Sequence, residues 1–82
     1  MKAYEIEVHF IGEPDYYYFT DRKEAEKAIQ ELTAQPEENT IYGNIKTTAT
    51  LTEINLLPNQ YIEGNEIITT HIIIRDSEYK RR

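Results

Sequence analysis

Residues 2–11, KAYEIEVHFI, alternate with a period of two. Tyr4, Ile6, Val8 and Phe10 fall on one side; Glu5, Glu7, His9 and Ile11 fall on the other. That is the pattern of a strand with one buried face. GEPD at 12–15 supplies turn chemistry, and YYYF at 16–19 reads as a returning strand, so residues 2–19 are expected to form a β-hairpin. Strand side chains alternate strictly, so an even-length loop fixes the faces before the register is known. Pairings whose residue numbers sum to 27 set Phe10 opposite Tyr17 and Val8 opposite Phe19; pairings that sum to 29 change the partners but not the faces. Either way Tyr17 and Phe19 join the core, and Tyr16 and Tyr18 point away from it. An odd-length loop or a bulge would reverse this assignment.

TDRKEAEKAIQELTAQP follows. Asp21 with Glu24 three residues on has the spacing of a capping box. Ala25, Ala28, Ile29 and Leu32 recur at helical spacing and make a narrow apolar stripe. Arg22 with Glu26, and Lys27 with Glu31, are opposite charges four apart on the outer face. Pro36 predicts an end near Ala34 or Gln35.

Beyond the helix the apolar residues Ile41, Ile45, Ala49 and Leu51 hold odd positions, and then Ile54 and Leu56 hold even ones. One straight strand with a single buried face cannot satisfy both, so a bulge or break is expected near Thr52–Glu53. Gly43-Asn44 offers a tight turn as an alternative. A hairpin is expected to turn at Gly64-Asn65, and the last strand to run over residues 66–75. On that strand Ile68, Thr70, Ile72 and Ile74 share one face, and Ile67, Thr69, His71, Ile73 and Arg75 share the other. The expected fold is α+β: an antiparallel sheet of four to five strands with one helix packed on one face, in the order β-β-α-β-β(-β). Residues 1–76 make the single domain and residues 77–82 a short basic tail.

At 82 residues with no cysteine the chain has neither a disulfide nor a thiolate metal site to stiffen a small core. A core alone at this size supplies about 3–5 kcal/mol, which makes self-association worth considering. No run of apolar residues approaches a membrane span, and the acidic start does not suit a signal peptide; a cytoplasmic protein is expected. The net charge is −6: residues 1–74, an acidic body, carry −8, and the short end at 75–82 carries +2. Such a body repels phosphate backbones, which sets nucleic acid low among the partners.

Nucleophilic catalysis lacks its parts, because the only serine is Ser77 in the tail. The three glycines stand apart and form no phosphate loop. His9 and His71 share the face opposite the helix with Glu5 and Glu7, but without an HxH or HxxxH spacing. They read as surface histidines rather than zinc ligands. No cofactor or metal is expected. The tyrosines could stack single-stranded bases, yet acids rather than cations surround them. The same face carries Ile11, Tyr16, Tyr18, Ile67 and Ile73 in a polar frame with His9 and His71, as a protein-contact patch does.

The opening strand, the aromatic strand and TDRKEAEKAI over residues 1–32 resemble small accessory proteins of phages and other mobile elements. That resemblance implies a host-directed binding or inhibitory role and assigns no functional residues. The functional expectation is a non-enzymatic interaction protein that binds another protein, or itself as a homodimer, through the sheet face opposite the helix. Ranked below it are a nucleic-acid mimic occupying a basic cleft, a single-stranded RNA binder, and a metal-dependent protein using His9 and His71.

Overall fold

The structure, a computed structural model, describes residues 1–70; the expectations for His71, for Ile72, Ile73 and Ile74, and for the 77–82 tail lie outside the described residues. Strand β1 (Lys2–His9) and β2 (Asp15–Phe19) form the expected hairpin, followed by helix α1 (Arg22–Thr33). Then come β3 (Glu38–Thr40), β4 (Gly43–Ile45), β5 (Thr48–Asn55), β6 (Gln60–Glu63) and β7 (Glu66–Thr69). The α+β class holds, but the single sheet of four to five strands does not. Among the described residues the strands divide into a three-stranded antiparallel sheet, β2-β1-β5, and two separate hairpins, β3-β4 and β6-β7. Pro36 precedes β3 and Pro58 precedes β6. A residue that cannot donate a ladder hydrogen bond stands at two of the joints where the sheet fails to continue, and Lys46-Thr47 makes the third, between β4 and β5.

The β1–β2 register runs from Tyr4↔Phe19 to Val8↔Asp15. Its pairs sum to 23, so Tyr17 lies opposite Ile6 rather than Phe10. The loop is longer than expected because Gly12 takes a positive φ of 78°, and Pro14 has no N–H to extend the ladder. The loop length is still even, so the faces are those the alternation predicts. Tyr4, Ile6, Val8, Tyr17 and Phe19 face the helix.

β5 lies beside β1, in unbroken register from Lys2↔Asn55 to His9↔Thr48. This removes the bulge expected at Thr52–Glu53. Ala49 and Leu51 face the helix beside Val8 and Ile6, while Ile54 turns to the other side, opposite the fully buried Ala3. The change of parity is therefore a change of face within one straight strand. Leu56 N donates to Met1 O at 2.7 Å, which carries the pairing one step beyond β5.

Asp21 caps α1 with its carboxylate accepting from Lys23 N at 3.0 Å. The Arg22–Glu26 pair closes at 3.1 Å; Lys27–Glu31 is not among the ion pairs of the described residues. Ala25 is the helix residue that is fully buried, and Ile6 is the largest fully buried side chain beneath it. The helix stripe is made of small residues where it crosses the sheet, so Tyr17, Phe19 and Leu32 stay only half-buried.

Candidate interaction surface

The alternation that sends Ile6 and Val8 to the helix sends Glu5 and Glu7 to the other face of the three-stranded sheet. The two registers then line up rows across that face: Tyr18–Glu5–Thr52 and Tyr16–Glu7–Thr50. Side-chain geometry closes each row. Tyr18 Oη donates to Glu5 Oε2 at 3.0 Å, and Tyr16 Oη donates to Glu7 Oε2 at 3.3 Å. His9 ends β1 with Nε2 at 3.1 Å from the same Glu7 oxygen. Thr48, opposite His9, completes an exposed threonine column with Thr50 and Thr52 along β5.

Burial first, and then the Glu5 carboxylate that accepts its proton, push the Tyr18 hydroxyl up to about 12. Desolvation, followed by the charge of Glu7 and the hydrogen bond to it, raises Tyr16 above its ordinary value. Both hydroxyls are therefore protonated donors at neutral pH. Each carboxylate offers about four lone-pair sites, so one tyrosine leaves Glu5 room for further donors. The face presents aromatic rings tethered at their polar ends beside two anions. That combination suits a cationic side chain: the anions attract it and the ring faces receive it.

The expected patch is only partly assembled within this sheet. Tyr16, 40% exposed, and the half-buried Tyr18 lie on the open face with His9. Ile11 is exposed in the β1–β2 loop. Ile67 is half-buried on β7, which runs close to β2 but is laddered only to β6 among the described residues. His71 and Ile73 lie outside the described residues. Of the described His, Asp and Glu side chains, no three converge as metal ligands.

Sequence reasoning missed two features. The turn for which Gly43-Asn44 was the alternative is made by Ile41 and Tyr42, with Gly43 opening β4 at φ 102°. Tyr42 N donates to Thr40 Oγ1 at 3.0 Å, and Thr40 Oγ1 donates to Gly43 O at 2.9 Å, which holds the turn shut. Ile41 is thereby left 92% exposed and Tyr42 70% exposed. The available signal was the bracketing of these two residues by Asn39-Thr40 and Gly43-Asn44. The second feature lies on the helix side. Phe10, expected in the core, falls beyond the end of the β1–β2 ladder, and with Val8, Tyr17 and Leu32 it lines a cleft of about 510 Å3. A neighbouring hollow of about 350 Å3 shares Tyr17, Leu32 and Gln35 with it.

No family model, curated protein or solved structure matches this chain. Its function is therefore read from its own surfaces.

Proposed function

We propose that this chain is a non-enzymatic interaction protein whose open sheet face binds a basic surface of another protein. The observation that carries this reading is the pair of tethered rows, Tyr18–Glu5–Thr52 and Tyr16–Glu7–Thr50, with both hydroxyls bonded to carboxylates. Tyrosine supplies rigid, amphipathic contact area at low entropic cost. The hydrogen bonds hold each ring in advance of binding, which lowers the cost of association. Glu5 and Glu7, within a chain of net charge −6, steer the encounter toward arginine- or lysine-rich partners. The same carboxylates stand where a nucleic acid would bring phosphates, so stacking of bases on these rings would have to overcome repulsion. The resemblance of residues 1–32 to mobile-element accessory proteins supports a host protein as the partner.

The test is affinity capture from lysate of the source cell, nuclease-treated and untreated, with the intact chain run against Tyr16→Ser/Tyr18→Ser. A protein retained by the intact chain and lost by the variant, with unchanged circular dichroism, is the expected result. Equal retention by both would remove the open face from the binding site. Capture that requires nucleic acid would replace this reading with the single-stranded binder.

A further inference from the structure

The β3–β4 hairpin is an arm. Among the described residues its two strands pack extensively only on each other, and Lys46 fixes its base by donating to Thr33 O at 3.1 Å and Gln35 O at 2.9 Å at the end of α1. The tip carries two adjacent large apolar side chains, Ile41 and Tyr42, both exposed. Scattered single apolar residues on a surface need no explanation; a pair held at the end of an arm by a closed turn is a different case.

The same molecule has a hollow with an apolar wall and a polar edge. The cleft of about 510 Å3 between α1 and the β1–β2 hairpin is walled by Val8, Phe10, Tyr17 and Leu32. That volume lies in the range of about 300–1,000 Å3 typical of clefts that accept a ligand. The arm cannot fill its own cleft. Glu37, Glu38 and Thr47 at its base already form the rim, and three laddered pairs separate that base from the turn. At about 3.3 Å per strand residue, the tip stands on the order of 10 Å beyond the rim.

We infer that the chain forms a two-fold dimer in which the Ile41-Tyr42 tip of each copy enters the α1/β1–β2 cleft of the other. Charge supports a second copy as the occupant. Two copies at −6 repel one another, yet residues 39–45, NTIYGNI, carry no charge at all. The outer part of the arm, beyond Glu38, is the segment able to approach an acidic body with the least like-charge cost. Because the arm springs from the rim of the cleft, a two-fold axis lets both contacts form at once and closes the assembly. The interface leaves the Tyr–Glu face to the protein partner proposed above, and it stands independently of that proposal.

Sedimentation over a range of concentrations tests it with three proteins: the intact chain, Ile41→Ser/Tyr42→Ser, and Tyr16→Ser/Tyr18→Ser. The tip side chains are exposed, so their replacement removes no core contact, and circular dichroism checks the fold. The intact chain and the tyrosine-face variant should dimerise alike. The tip variant should need about a hundredfold or more higher concentration, as the loss of two central anchors implies. A second experiment addresses the cleft. The chain has no cysteine, so a mixture of Asn44→Cys with Gln35→Cys should form a mixed disulfide under mild oxidation, and a mixture with Lys27→Cys should not. A monomeric intact chain at every soluble concentration would overturn the inference and leave the cleft to residues 71–82 or to another partner. So would a dimer indifferent to the tip, or equal coupling to both cysteines.

Discussion

Tyr18 shows how burial, with a hydrogen bond to Glu5 behind it, ties stability to pH. Its hydroxyl is held up to about 12 in the fold against an ordinary value of 10, so the unfolded chain gives up this proton first. The stability it contributes is complete below pH 10 and is lost as the pH climbs from about 10 to about 12. Tyr18→Phe should flatten that alkaline decline and remove the latest step from the tyrosinate absorbance titration. An unchanged decline would mean that Tyr18 is neither desolvated nor bonded to Glu5 in solution. Ile6 is the residue on which the helix-side core converges, being the largest side chain with no exposure. Ile6→Ala should cost about 2–5 kcal/mol, comparable with the whole stability expected of so small a core, and should abolish a cooperative thermal transition. The faces of Tyr16, Tyr17, Tyr18 and Phe19 were legible in the sequence because a period of two survives any even loop. The partners were not, because they depend on where Gly12 and Pro14 stop the ladder, and that changes the register without changing parity.

At the scale of elements, α1 was the most legible part, since its cap, its stripe and the proline beyond it all agree. Only the detail of the cap differs, with Asp21 accepting from Lys23 N instead of from the third residue of the helix. Asp21→Ala should lower stability by about 1 kcal/mol in chemical denaturation. The second half of the chain was harder to read. Ile54 was taken as evidence of a bulge because one buried face was assumed for the strand, whereas β5 supports apolar residues on both faces, with Ala3 opposite Ile54. Gly43-Asn44 offers a turn in sequence as an alternative, but Gly43 is needed one step later, opening β4 with φ 102°. Nothing lies within 4 Å of an added Cβ at Gly43, so Gly43→Ala tests backbone strain alone. The expected cost is about 1–2 kcal/mol, borne by the arm. Hydrogen exchange should quicken at Ile45 and Glu38 while the β1–β5 ladder keeps its protection.

Across the whole molecule, the division of strands into three groups leaves two kinds of surface. One is the anion-flanked tyrosine face; the other is the arm with its uncharged tip and the cleft at its base. Composition foretold the acidity and the small core, but it could not foretell that the apolar residues left over would gather at one tip and one hollow. That depends on the Pro36 and Pro58 joints and on the small helix residues that leave Tyr17 and Leu32 half-covered. Partner binding through Glu5 and Glu7 should weaken several-fold as ionic strength rises and the Debye length falls below about 10 Å, whereas the apolar arm contact should hold or strengthen. The most direct measurement is a titration of the captured partner into isotopically labelled chain, followed by amide chemical shifts. Changes centred on Glu5, Glu7, Tyr16, Tyr18, Thr50 and Thr52 are the expected result. Changes confined to α1, the cleft or the arm, with those six amides unmoved, would contradict the assignment of binding to the open face.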